Sequence, residues 1–306
     1  MCSLIARAQT NNQRTLLLVI GAAGEPEYAE QFAASADLWK RAATNGGFNI
    51  TVVGERTNGE NDRGELFAVL SNEVTRAADE LWLVFIGHGT FDGRTAKFNL
   101  RGPDISAEEL AATLKPCKRP LAVIDCASAS GPFLNALSAQ GRVIITATRS
   151  GYEANATRFG NYLARDAADP AADLDKDGQT SLLEAFLMAS RQVDDFYKEA
   201  GRLATEHALL DDNGDGLGTP AEFFQGVRAV KKAADGKTVD GVRAHQMNLV
   251  RSANEQELSP ELRARRDELE TQLSALRDRK NQMKSDDYYN QLEEILVETA
   301  KLYEKR

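Results

Sequence analysis

Along the first half of this chain, short apolar runs that stop in glycine, serine or an acid alternate with longer amphipathic stretches. The runs are Thr15 to Ile20, Phe48 to Val53, Leu81 to Ile86, Leu121 to Ile124 and Val143 to Thr146. Their length and their lack of interior charge predict buried parallel strands. Gly21-Ala22-Ala23-Gly24 reads as a tight turn into a helix from Glu27 to Asn45, and a second helix is predicted from Leu70 to Asp79. A third runs from Ser106 to Leu114, with Ser106 as its cap and Glu109 completing a capping box. Strands and helices alternating at this spacing predict an α/β fold, a mostly parallel sheet covered by helices on both faces.

Beyond Tyr162 the pattern changes. Two acidic, glycine-containing loops bracket a helix of about twenty residues, and a polar stretch runs from Gly226 to Gly241. From Pro260 the tail reads as a helical hairpin. Leu262, Leu269, Leu273, Leu276 and Met283 make one apolar stripe, Ser285-Asp286-Asp287 breaks it, and Leu292, Ile295, Leu296, Thr299 and Leu302 make a second. The expected organisation is a flexible start or leader remnant over 1–14, a core over 15–165, its remainder with both acidic loops over 166–250, and a helical tail over 251–306. That tail holds eleven Lys or Arg against thirteen Asp or Glu. A mixed-sign surface of this kind suits packing or self-association through the C-terminal helices.

A chain of 306 residues, 42% apolar and 27% charged, supports one core and an appendage. Its formal charge of -9 argues against a nucleic-acid partner, and no window is long and apolar enough to span a membrane. Ala6-Arg7-Ala8-Gln9 could end a secretory leader, although no apolar segment precedes it. A leader remnant would imply a periplasmic or secreted protein, and a plain start a cytoplasmic one. Three cysteines are too few for a disulfide framework, so Cys126, directly at a strand end, is expected to be a free thiol.

The two strand ends Phe85-Ile86-Gly87-His88-Gly89 and Val123-Ile124-Asp125-Cys126 can set an imidazole beside a thiol. Open α/β sheets carry their sites at such carboxyl ends. A cysteine needs a neighbouring base to become a nucleophile, and His88 would fill that role and then protonate the leaving amine. The N–H groups of Gly89 and Cys126, where the strands open, are candidates for an oxyanion hole.

With these residues the chain resembles the caspase-like clan of cysteine peptidases, sharing features with its legumain and metacaspase branches. The resemblance covers roughly residues 15 to 165. It implies a caspase-like three-layer fold, a peptide or protein substrate, a His88–Cys126 dyad and no cofactor for the chemical step. Gly21-Ala22 through Tyr28-Ala29-Glu30-Gln31 is similar to the legumain stretch that helps form the pocket for the residue before the scissile bond. The family usually places one residue between the acidic position and the nucleophile, whereas Asp125 directly precedes Cys126 here. Legumain has Arg and His where this chain has Ala29 and Glu30, which argues against asparagine specificity.

Candidate pocket residues are Glu30, Asp125, Thr148, Arg149 and Glu153. An inward Glu30 or Glu153 would favour Lys or Arg before the scissile bond, which is the expected preference, and an inward Arg149 an acidic residue. Asp173, Asp175, Asp177, Gln179, Ser181 and Glu184 match a twelve-residue calcium loop, and Asp211, Asn213, Asp215, Leu217, Thr219 and Glu222 repeat the spacing. Solvated turns held by Asx hydrogen bonds are the alternative for either loop. His207 and His245 show no ligand-like company in sequence. A cysteine endopeptidase is the first reading. A silent or latent interaction protein built on the same fold, with calcium loops and helical tail as its working parts, is the second. An oxidoreductase is set aside because the turn after the first strand lacks dinucleotide-binding glycine spacing.

Overall fold

The computed structural model describes residues 14–55, 61–76, 79–235 and 237–304. Cys2 and the expected leader remnant lie outside them. β1 (Thr15–Ile20) is followed by α1 (Pro26–Asn45), β2 (Asn49–Val53), α2 (Asp62–Glu73) and β3 (Leu81–Ile86). A small antiparallel sheet comes next, made of β4 (Gly89–Phe91), β5 (Ala96–Phe98) and β6 (Ile105–Ser106). Then follow α3 (Ala107–Leu114), β7 (Leu121–Asp125), α4 (Gly131–Leu137), β8 (Arg142–Thr146) and α5 (Phe159–Asp166). α6 (Leu182–Glu199) leads to β9 (Leu209–Asp211) and the ribbon of β10 (Phe224–Gln225) and β11 (Arg228–Ala229). Helices α7 (Val242–Gln246), α8 (Ala253–Glu257), α9 (Pro260–Asp278) and α10 (Ser285–Glu304) complete the chain.

The central sheet has the order β2-β1-β3-β7-β8-β9, parallel except for β9. Alternation along the strands sends Leu16, Leu18, Trp82, Val84 and Ile124 to one face with Trp39 and Phe186 from α1 and α6. Leu17, Val19, Leu83, Phe85 and Val123 go to the other, against α2, α3 and α4. Burying each such large side chain stabilises the fold by ~1.5–3 kcal/mol, which is why strands apolar on both faces are central.

Strand order reverses at β1, leaving a crevice between the carboxyl ends of β1 and β3. Phe98 of β5 fills it. A Cβ on Gly21 would stand 2.5 Å from the Asn99 carbonyl, and one on Gly87 would stand 2.7 Å from the Phe98 ring. The glycine turn after β1 therefore serves close packing of a neighbouring sheet.

The helix predicted from Leu70 begins eight residues earlier and ends at Glu73. Asn61 accepts from the Gly64 amide at 3.0 Å and fixes its start, while Asp62 pairs with Arg101. The capping box of Ser106 and Glu109 forms as expected. At the opposite end, Arg14 is buried and bonds the Asn248 carbonyl, so the expected flexible start does not extend to it. α9 and α10 pack on each other through Leu269, Leu276, Tyr288 and Leu302. The tail is joined to the body by Gln246 on the Asp267 carbonyl and by the Arg251–Glu80 ion pair at 2.6 Å, and it is tied within itself by the buried Arg266–Glu255 pair. Among the described residues, no helix is long and apolar enough to cross a membrane.

Candidate active site

β3 and β7 run in register with Phe85 opposite Asp125. Cys126 thus lies one residue past that level and His88 three residues past it. Side-chain alternation turns Cys126 toward α1 and α5, in the same cluster as Ile86 and Ile124. His88 and Cys126 line one small pocket of about 30 Å³, together with Tyr28, Gln31, Phe32, Ser35, Thr157 and Asn161. It has room for little more than water.

Within that pocket the two groups are not engaged with each other. The His88 ring packs edge-on against Tyr28, with centroids 4.5 Å apart, and against Phe32 at 5.1 Å. Burial holds its pKa below the usual histidine range, opposed by a hydrogen bond to the Ala23 backbone. Among the described residues no hydrogen bond joins this ring to the thiol. Cys126 is 5% exposed, and it is a free cysteine, as is Cys117. Burial, and then the charge of Asp125, push its thiol well above the ordinary range, so the resting sulfur is protonated. Gly160 of α5 presses on it, since a Cβ there would lie 2.5 Å from the Cys126 Cβ and 3.0 Å from its sulfur.

The expected oxyanion donors are both occupied. The Cys126 amide still donates to the Phe85 carbonyl at 3.0 Å, because the ladder extends one residue beyond the strand end. Gly89 donates to the Ser128 hydroxyl at 3.1 Å, and that hydroxyl returns a bond to the Gly89 carbonyl at 3.1 Å. Ser128 thereby stands level with Gly89, where the sequence comparison centred on the thiol.

None of the candidate pocket residues lines the His88–Cys126 pocket. Helical periodicity aims Tyr28, Phe32 and Ser35 at it and leaves Glu30 exposed to solvent. Asp125 is 1% exposed and belongs by alternation to the opposite face of the sheet. Its Oδ1 accepts from the Ala127 amide at 3.0 Å while Oδ2 has no hydrogen-bond partner among the described residues, and burial raises its pKa to about 7. Thr148 is buried, its hydroxyl bonded to Ser130 and the Gly131 amide. Arg149 is exposed and pairs with Glu153, whose Oε1 also meets His207 Nδ1 at 2.6 Å. Glu153 is thus committed to Arg149 and His207 rather than to an incoming cation. His207 had a partner that sequence could not supply, because the two lie 54 residues apart.

In the first acidic loop, ligand atoms of Asp173, Asp175 and Asp177 gather within 4.8 Å, and so do those of Asp175, Glu184 and His245. These residue types fit a divalent cation. His245 meets Asp175 at 3.0 Å, company that its place in the sequence did not show. Gln179 turns its side chain to the Ser252 amide and Asp177, and Ser181 caps α6 with Glu184. Glu184 was expected to close an ion. Its four acceptor positions are taken by the amides of Leu174, Asp175 and Ser181 and by the Ser181 hydroxyl. In the second loop Glu222 is exposed on a 3-10 turn and lines the cavity beside α6, since Pro220 leads into that turn instead of a long helix. Leu217 is exposed, while Thr219 donates its hydroxyl to Asp240 at 2.6 Å.

No protein-family model and no curated protein matches this sequence. Solved structures do match, among them the Drosophila initiator caspase Dronc, over 66% of this chain and 80% of that one, with 15% identity and a TM-score of 0.41. A likeness of that size concerns the path of the chain and not its chemistry.

Proposed function

We propose that this chain is a hydrolase of the cysteine-peptidase type in a latent conformation, with Cys126 as nucleophile and His88 as base. The observation that carries the reading is that both side chains line one pocket at the carboxyl ends of neighbouring parallel strands. In the active arrangement His88 takes the thiol proton as sulfur attacks a peptide carbonyl. Collapse of the tetrahedral intermediate expels the amine, protonated by His88, and leaves a thioester that water hydrolyses. The Gly89 N–H can serve the oxyanion, because its present partner is a single hydroxyl, Ser128, that can rotate aside. The first shift required is contact between imidazole and thiol.

With Glu30 in solvent and Glu153 already paired, the reading carries no acidic pocket for Lys or Arg. Gln31, Ser35 and Asn161 beside the dyad suit a small uncharged side chain instead.

A second reading, a catalytically silent protein on the same framework, is favoured by the burial of Cys126 and by its amide remaining in the sheet. Hydrolysis of a mixed peptide library by the purified chain, with Cys126→Ala alongside, separates the two. Cleavage abolished by the substitution supports the peptidase. Cleavage that survives it removes Cys126 as the nucleophile, and none from protein whose Cys126 has been shown to be accessible leaves the silent reading.

A further inference from the structure

The connection between β8 and α5 has two halves with opposite properties. Ala147 to Gly151 is fixed by Thr148, which bonds Ser130 and Gly131 in the turn after Cys126. Tyr152 to Thr157 lies outside, with Tyr152 80% exposed and Ala154, Asn155 and Ala156 also exposed. Yet this outer half carries Ala156 and Thr157 across the pocket that holds the thiol. Its side chains between Glu153 and Thr157 are small, so they supply no apolar anchor.

Its first residues are tied by the Tyr152 ring on Phe91 and by the Ala129 N–H on the Glu153 carbonyl at 2.8 Å, and a pair of acids holds its two ends. Glu153 accepts from the backbone of Arg149 at 3.0 Å and of His207 at 3.2 Å, and it pairs with the His207 ring at 2.6 Å. Glu206, 2% exposed, accepts from the amides of Arg158 and Phe159 at 2.8 and 3.0 Å. It thereby caps α5, whose own N-cap residue makes no side-chain bond. Between the acids, Thr157 donates to the Cys126 carbonyl at 2.5 Å. Consecutive residues 206 and 207 thus clamp both ends of one segment. Behind the clamp, Arg149, Phe159, Glu206 and His207 face a cavity of about 800 Å³.

We propose that Glu153–Arg158 is an autoinhibitory strap, closed over Cys126 by Glu153 and Glu206 and opened when the Glu153–His207 contact is released. Its regulatory meaning rests on the reading of Cys126 as nucleophile; its existence does not. Closed, it buries the sulfur and keeps it protonated. Open, it admits water and substrate to both Cys126 and His88.

The test is the rate at which iodoacetamide alkylates Cys126 in the full chain, read by mass spectrometry of the cysteine-containing peptides, with partly exposed Cys117 as internal reference. His207→Ala and Glu153→Gln each alter the clamp while leaving the buried Glu206 in place, and Thr157→Val removes the central bond. The clamp variants are expected to raise the Cys126 rate relative to Cys117 by about tenfold, as loss of a charge-assisted contact would. A general loosening would raise both cysteines together and would overturn the proposal, as would equal Cys126 rates in wild type and clamp variants. Selective exposure without peptide cleavage would uphold the strap and remove the peptidase reading.

Discussion

Asp173–Glu184 and Asp211–Glu222 are two loops of one sequence pattern, and through their first seven positions they fold alike. In each, the first residue accepts from the amides of the fourth and sixth, Lys176 and Gly178 in one and Gly214 and Gly216 in the other. The third accepts from the fifth and the fifth from the seventh in both. They part at the tenth position. Leu182 begins α6 and brings Glu184 back over the loop, whereas Pro220 opens a short 3-10 turn that carries Glu222 away. The second loop is closed by Asp240 instead. Asp240 accepts from the amides of the second and third residues, Asp212 and Asn213, and from the ninth-position hydroxyl of Thr219. Glu184 takes the same three groups in the first loop, Leu174, Asp175 and Ser181. Two carboxylates of different sequence origin do one structural job, so the matching glutamate is not the equivalent residue.

The largest expected effects follow from that equivalence. Glu184→Ala and Asp240→Ala each remove a buried acceptor from several donors, and each is expected to cost about 3 kcal/mol of unfolding free energy in urea titrations. If only Glu184→Ala were costly, Asp240 would not be the closing residue.

A smaller effect, in pH, should tell the loops apart. Burial, and next the charge of Asp212, push the Asp240 carboxyl up to about 7. The native state then holds a proton that the unfolded chain has lost, so stability contributed here is highest near pH 4 and falls as pH rises toward 7. Asp240→Asn should flatten that fall in melting temperature. A slope unchanged by the substitution would place its origin elsewhere, with Asp125 the next buried acid to substitute. Calcium probes the opposite loop. Any rise in melting temperature on adding calcium is expected to vanish in Asp175→Asn and to survive in Asp215→Asn, because only the first loop gathers three carboxylates within 4.8 Å among the described residues.

The loops also show where sequence stops being informative. Periodicity and caps are local, and they placed the five parallel strands, α1, the Ser106 box and the hairpin tail. They also placed His88 and Cys126 at adjacent strand ends. Register is local too, and counting from Asp125 could have shown that Cys126 and Asp125 face opposite sides of the sheet. The Asp92-Gly93 turn signal could likewise have revealed β4 and β5. Asp240 on the second loop, His207 on Glu153 and His245 on Asp175 are partners separated by 21 to 70 residues. No spacing rule reaches them. Glu206 is similar: nothing near it in sequence marks it as the cap of a helix 47 residues upstream.

The smallest effect belongs to the residue at the twelfth position of the second loop. Glu222 is exposed and borders the large cavity beside α6. Glu222→Ala should therefore change stability by no more than about 0.5 kcal/mol, the usual range for surface substitutions, and should leave any calcium response as it was. A loss comparable to that of Glu184→Ala would mean that Glu222 returns to the loop in solution. That would require the turn after Pro220 to rewind as a helix and Thr219 to release Asp240, an arrangement in which the two loops would again be closed by the same position.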